Sequence, residues 1–221
     1  DKYLEYMQKN KIELINIYSK EYPSNLKQIY DPPAFLYIKG NKEILNSKSI
    51  SIVGCRDCTT YGKNTAIKFA YNLSNNNINI VSGLAKGIDA YSHIGCLKGK
   101  AKTIAVVGCG LDRVYPEENR WIYNKIIANG GAIISEYIIG TKPLAQNFPR
   151  RNRIISALSE ALIVVEAKEK SGTLITVDFA LEQGKDIYVV PGNIDSLNSV
   201  GTNDLIKQGA KVLTKIDDIL I

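Results

Sequence analysis

The feature that most constrains this chain is a rhythm that starts near Ser49 and repeats almost to the end. A short β-branched apolar run is followed by a glycine-containing turn and then by a helical stretch. The runs fall at residues 49–53, 78–81, 103–107, 132–134, 161–165, 186–190 and 211–213. They are continuously apolar rather than alternating, as strands covered on both faces must be. The helical stretches between them lie at 62–73, 89–97, 117–128, 154–158, 174–183 and 203–208. Strand alternating with helix predicts an α/β fold: a doubly wound, mostly parallel, Rossmann-like sheet with helices on both sides. Residues 1–46 break the rhythm. They are rich in Tyr, Lys and Asn, and Asp31-Pro32-Pro33 interrupts any helix there. They read as a small N-terminal arm or partial helical subdomain, with helical turns within 2–18 and an extended segment through 22–38. Residues 47–221 then form the Rossmann-like domain.

With 221 residues, 45% of them hydrophobic and 23% charged, the chain has the makeup of a globular protein with one good core. The longest uncharged apolar stretch, 103–111, is far short of the roughly 20 residues that span a bilayer. The opening Asp1-Lys2-Tyr3-Leu4-Glu5 has no apolar signal-peptide core. Of the four cysteines, Cys55 and Cys58 form one Cys-x-x-Cys, but Cys96 and Cys109 supply no second close pair, so no zinc site is expected. Free thiols fit a reducing cytoplasm, and a cytoplasmic chain with no membrane association is the expectation.

The net charge is +6, and its distribution says more than its size. Three of the six arginines are Arg150, Arg151 and Arg153. A guanidinium grips a phosphate with two parallel bonds where a lysine acts as a point charge.

In a parallel sheet, ligands bind beyond the carboxyl ends of the strands, where loop amides and helix N-termini point. The turns at those ends read Val53-Gly54-Cys55-Arg56, then Ser82-Gly83-Leu84-Ala85-Lys86-Gly87-Ile88-Asp89, then Gly108-Cys109-Gly110-Leu111-Asp112. Ser135-Glu136, Glu166-Ala167-Lys168-Glu169-Lys170-Ser171-Gly172-Thr173 and Pro191-Gly192-Asn193 follow. One glycine turn is ordinary architecture, but a row of them with Arg56, Lys86 and the arginine cluster predicts an anion-binding edge. Ser171-Gly172-Thr173, opening a helix, offers hydroxyls and amides to a phosphate. A dinucleotide fingerprint is absent, because Gly108-Cys109-Gly110 meets Arg113 where the third glycine belongs. A Walker loop is absent too: Gly95–Ala101 is one residue short and lacks its final hydroxyl. No nucleophile–base pair emerges from spacing. His93, four residues after Asp89, reads more readily as a packed histidine than a catalytic one. Glu136 and Glu166 end strands and could serve as acids or bases, or equally hold neighbouring arginines.

Phe148-Pro149-Arg150-Arg151-Asn152-Arg153 follows a long irregular stretch and leads into the helix expected at 154–158. A positive groove with an aromatic platform is what single-stranded nucleic acid requires. Phe148 could equally anchor the helix, with the arginines solvated or ion-paired; Arg150 and Arg153 read as phosphate contacts.

Taken in order, these motifs resemble the DNA-processing protein A (DprA/Smf) family over nearly the whole chain. The resemblance rests on Val53-Gly54-x-Arg56, on Ser82-Gly83-Leu84-Ala85-x-Gly87-Ile88-Asp89 with His93, and on Gly110-Leu111-Asp112…Tyr115-Pro116…Asn119. It continues through Ser135-Glu136, Phe148-Pro149-x-Arg151-Asn152-Arg153-Ile154-Ile155, Val165-Glu166-Ala167, Ser171-Gly172-Thr173-Leu174-Ile175-Thr176, Pro191-Gly192 and Gly201-x-Asn203. It implies a protein that is not an enzyme and carries no cofactor. Such a protein binds and protects incoming single-stranded DNA in natural transformation, loads the RecA recombinase, and forms a homodimer. The DNA contacts it implies are Arg56, Gly83, Lys86, Phe148, Arg151, Arg153, Ser171 and Gly172. With Ser82, Arg150 and Thr173 from the same turns, these make up the expected site. Two alternatives stay open: a small-nucleotide enzyme of the phosphoribohydrolase type, and an interaction scaffold whose DNA edge is vestigial.

Overall fold

The computed structural model describes residues 2–220. Its strands are β1 (Ile12–Asn16), β2 (Phe35–Gly40), β3 (Ser49–Val53), β4 (Asn79–Ser82), β5 (Thr103–Val106), β6 (Ala132–Ser135), β7 (Ala161–Val164), β8 (Asp186–Val189) and β9 (Lys211–Val212). The helices are α1 (Lys2–Lys9), α2 (Ser24–Lys27), α3 (Thr60–Asn75), α4 (Ile88–Leu97), α5 (Arg120–Ala128), α6 (Asn147–Ala157), α7 (Gly172–Glu182) and α8 (Val200–Lys207). All nine strands join one sheet in the order β1-β2-β6-β5-β4-β3-β7-β8-β9. Pairing is parallel from β6 to β9, and antiparallel where β2 joins β6 and β1 joins β2.

The doubly wound parallel sheet read from the sequence is therefore present, with every expected parallel strand in place. Alternate residues of each buried strand go to opposite layers. On β7, Leu162 and Val164 join a core with α2, α6, α7 and α8, while Ala161 and Ile163 join one with α3 and α4. A third cluster packs α5 and Met7 of α1 against β5 and β6. Burying each Leu or Ile of these layers contributes about 1.5–3 kcal/mol, which is why the β-branched runs dictate the fold.

Two sequence expectations need correction. The helical turns expected within 2–18 are present as α1, but they end at Lys9, and Lys11, at φ 52°, turns the chain into a strand, β1, that was not expected. Ile12 and Ile15 of β1 are buried while the residues between them are exposed. That spacing of three imitates helical periodicity, and pairing with β2 overrides it. Residues 12–40 thus extend the same sheet by two antiparallel strands. The second correction is that α6 starts at Asn147 rather than at Ile154, so the whole Phe-Pro-Arg-Arg-Asn-Arg motif is helical. Pro149 lies in the first turn, where its missing N–H would have no intrahelical acceptor in any case.

The chain runs outward from β3 through β4 and β5 to β6, then returns beneath the sheet along α6 to place β7 on the other side of β3. Winding reverses between β3 and β7, and such a reversal leaves a crevice where the following loops diverge. β3 also fixes α6: Ser49 and Ser51 donate through Oγ to the carbonyls of Leu158 (2.7 Å) and Ile155 (2.7 Å). These satisfy acceptors near the helix C-terminus that intrahelical bonding leaves free.

Among the described residues no helix is long and apolar enough to cross a membrane, and no group of three or more His, Cys, Asp or Glu side chains could hold a metal ion.

Candidate nucleic-acid interface

A cleft of about 570 Å³ opens at that crevice. One wall comes from the β3–α3 loop (Gly54, Cys55, Arg56, Asp57) and another from the β7–α7 loop and the start of α7 (Lys168, Lys170, Ser171, Gly172, Thr173). α6 supplies Phe148, Arg151, Asn152 and Ile155 to the same cleft. Their spacing of i, i+3, i+4 and i+7 is one face of a helix. A smaller adjoining hollow shares Arg56, Ala85, Tyr115, Phe148 and Arg151 with the cleft, and adds Gly83 and Lys86.

Phe148 sits at the junction. The guanidinium carbons of Arg56 and Arg151 lie 5.6 and 5.7 Å from its ring centroid, within cation–π range. Tyr115 packs on it at 5.5 Å between centroids, tilted by 37°. Asn147, just before it, donates through Nδ2 to the Gly108 carbonyl at 3.0 Å and seats the start of α6 on the loop after β5.

Arg151 is buried. Its Nη1 donates to the Gly83 carbonyl at 2.7 Å and also to the Val106 carbonyl. Its Nε donates to Asn152 Oδ1 at 3.1 Å. Asp89, buried at the start of α4, accepts from the Gly83 amide at 3.1 Å. Burial pushes the Asp89 carboxyl above its usual range and pulls the Arg151 guanidinium below its own, each against the attraction of the other. Gly83 is a spacing requirement between them: a β-carbon there would lie 2.6 Å from Asp89 Oδ2 and 2.8 Å from Arg151 Nη1. Gly87 has φ +71°, and a β-carbon would lie 2.3 Å from the carbonyl oxygens of Cys55 and Arg56, so no other residue fits without moving the Arg56 loop.

Two helix N-termini reach this edge, and they differ. At α3 the Glu166 carboxylate supplies the anion: it accepts from Thr59 N (2.9 Å), from Thr59 Oγ1 (2.5 Å) and from Asn198 Nδ2 (3.2 Å). Glu166 is thereby a buried brace for Thr59, the residue that caps α3 by accepting from Gly62 N at 3.1 Å. At α7, Ser171 Oγ accepts from Thr173 N at 3.0 Å, and a β-carbon on Gly172 would meet nothing within 4 Å. The backbone at Gly172 is thus open to close approach from the cleft.

The remaining expected site residues have other neighbours. Ser82 is buried and donates to the Ile52 carbonyl at 2.7 Å. Lys86 is exposed at the hollow's rim and pairs with Glu118 at 2.8 Å. Arg150 and Arg153 lie on the far side of α6. Arg153 makes a bidentate pair with Glu136 at 2.7 and 2.8 Å, and Arg150 stands 3.7 Å from Glu136 and from Asp31. His93 is fully buried, its Nδ1 2.6 Å from Thr103 Oγ1. That hydroxyl spends its proton on the Ile80 carbonyl (2.9 Å), so it must accept from His93, which places the ring proton on Nδ1. Burial, and secondarily Arg151, hold the imidazole pKa down to about 3, so the ring is neutral. Tyr115, Lys168 and Lys170 also line the cleft; they fall within motifs and turns read from the sequence but were not among the expected site residues. The lysines stood in the longest strand-end loop, which was their only signal.

Comparison with known proteins agrees with this architecture. The family model for DNA recombination-mediator protein A matches residues 13–221. The DNA processing protein DprA of Bacillus subtilis is 45% identical over 209 residues, covering 94% of this chain and 70% of that protein. The Streptococcus pneumoniae DprA is 44% identical over 90% of this chain and 70% of its own length; the Escherichia coli protein Smf is 40% identical over 94% and 55%. The solved structure of Streptococcus pneumoniae DprA superposes with a TM-score of 0.90 at 42% identity, covering 98% of this chain and 76% of that one. A Helicobacter pylori DprA structure, described in terms of its single-stranded DNA binding mode, superposes at 0.85 with 31% identity over 95% and 94%. Ordered motifs, sequence identity across almost the full length and a shared backbone place the chain in the DNA recombination-mediator protein A family, the DprA/Smf proteins.

Proposed function

We propose that the chain binds single-stranded DNA in the cleft between β3 and β7, as a binding protein and not as an enzyme. The observation that carries this reading is the composition of one continuous surface. Arg56, Arg151, Lys168 and Lys170 surround the Phe148 ring and the open N-terminus of α7. Cations and helix-end amides track a phosphate backbone, while an aromatic face accepts any base. The binding mode described for the Helicobacter pylori relative supports the reading. In this scheme Arg56, Lys86, Phe148, Arg151, Ser171, Gly172 and Thr173 contact DNA, joined by Tyr115, Lys168 and Lys170. The bound strand is then passed to the RecA recombinase by a homodimer of such chains, in the cytoplasm; this last step rests on the family resemblance.

The test is the anisotropy of a labelled oligo-dT against its duplex across a salt series. Affinity for the single strand should exceed that for the duplex, and its logarithm should fall with log salt by about 0.7 per phosphate neutralised. Arg56→Ala should weaken binding of every sequence equally and flatten that slope by about 0.7, with stability changed by less than about 0.5 kcal/mol. Salt-independent binding, or binding indifferent to Arg56, would contradict the proposal.

A further inference from the structure

Arg153 sits inside the most basic motif of the chain, yet its donors are directed away from the cleft. Nη1 and Nη2 donate in parallel to the two Glu136 carboxylate oxygens at 2.7 and 2.8 Å. Nε donates to the Asp31 carbonyl at 2.8 Å, and Nη1 also donates to the Arg150 carbonyl at 2.8 Å. Four of a guanidinium's five N–H groups are thus spent. The side chains of Arg153 and Glu136 are only 5% and 8% exposed, so water does not compete for the pair.

Each partner is itself fixed. Glu136 directly follows β6, and Ser135 beside it donates to the Cys109 carbonyl at 2.7 Å. Asp31 belongs to the N-terminal segment that ends in β2. The Arg153 carbonyl accepts from Gln183 Nε2 at 3.0 Å, which ties the same turn to the residue after α7. The Arg153 side chain therefore locks α6 to the end of β6 and to the N-terminal segment, while its backbone carbonyl holds the end of α7. Residues 151 and 153 are about 200° apart around a helix. A roll of α6 that loosens this lock moves Phe148 and Arg151 on the opposite face, by roughly 1 Å for 10° at a side-chain radius of 5–6 Å.

We propose that Arg153 and Glu136 are positioning residues for the cleft: their buried pair sets the rotation of α6, and so the placement of Phe148 and Arg151 against Arg56. The binding consequence rests on the cleft being the DNA site; the placement of Phe148 does not.

Glu136→Gln separates positioning from simple electrostatics. Removing a negative charge should strengthen attraction for a polyanion. Positioning requires the opposite, oligo-dT binding weakened about fivefold, a size usual for coupled neighbours, with an unchanged salt slope. Unchanged or tighter binding overturns the proposal. Arg153→Gln should weaken binding similarly at the same slope; a slope shallower by about 0.7 would mean that Arg153 itself neutralises a phosphate, and also overturns it. If either single variant does not fold, the double replacement Glu136→Gln with Arg153→Gln leaves no unpaired buried charge and should show the same loss.

Fluorine NMR of protein labelled with fluorophenylalanine reads the placement without DNA. The chain has four Phe residues, and the Phe148 resonance is identified by Phe148→Leu. Glu136→Gln should shift that resonance, and an unmoved signal overturns the proposal whether or not the wild-type protein binds DNA. Absence of wild-type binding with a shifted resonance would count against the functional reading and leave the positioning role standing.

Discussion

The two faces of α6 hold buried arginines that look alike in sequence and live in different surroundings. Arg153 faces a carboxylate at hydrogen-bonding distance in the geometry a guanidinium prefers. Arg151, two residues away, is equally buried but bonds mainly to backbone carbonyls; its nearby carboxylate, Asp89, lies across Gly83. A guanidinium held by carbonyls keeps its positive charge unneutralised by direct contact, whereas one locked to a carboxylate presents none. The difference teaches that a basic motif on a helix is sorted by phase: one face meets carboxylates and the other meets the carbonyls that line the cleft.

The comparison is broken most sharply by Arg151→Met. It removes the bonds to the Gly83 and Val106 carbonyls and strips Asp89 of its cation, at a cost of about 3–5 kcal/mol, measurable by urea unfolding. A loss below about 1 kcal/mol would show that Arg151 is not the structural centre of the cleft face.

Phe148→Leu comes next and acts on binding. It keeps apolar volume but removes the stacking surface, so oligo-dT affinity should drop by about 1–3 kcal/mol while the salt slope stays constant.

The interior behind this face supplies a pH signature. His93 has an unfolded-state pKa near 6.5 and a folded value of about 3, so unfolded chains bind the extra proton between these limits. Its contribution to stability is complete above about pH 6.5 and is lost as pH falls toward 3, by up to about 1.4 kcal/mol per unit. Asp89, shifted upward, acts in the opposite sense, so the two partly offset. The fall in unfolding midpoint from pH 7 to pH 5 should therefore be smaller in His93→Gln than in the wild type, or reversed in sign where Asp89 dominates.

The smallest effect belongs to Arg150→Ala. Its side chain is 58% exposed and its ion pairs are 3.7 Å long. Stability should fall by less than about 1 kcal/mol and the salt slope of DNA binding should not change. A slope change would move Arg150 back among the DNA contacts.

The parallel strands were legible because a buried strand announces itself by continuous β-branched composition, which local sequence reports faithfully. The glycine turns were legible for a related reason: close approach and left-handed backbone leave few substitutes, as at Gly83 and Gly87. β1 was not legible, because Ile12 and Ile15 carry the spacing of a helix and only pairing with Phe35–Gly40 makes them a strand. Tyr115 stood in a recognised motif, but its place in the cleft was not legible, since its position beside Phe148 depends on loops that meet only in three dimensions.

The sequence by itself determined the α/β class, the strand ends that form the edge, and the family to which the motifs point. Only the tertiary structure decided which arginine of the motif faces the cleft and which faces Glu136. That outcome depends on α6 beginning at Asn147 and on the carboxylates placed around it: Asp89 from α4 on one side, Glu136 just after β6 on the other. A side chain's direction on a helix is fixed by the helix's phase, and the phase is set by contacts far away in the chain.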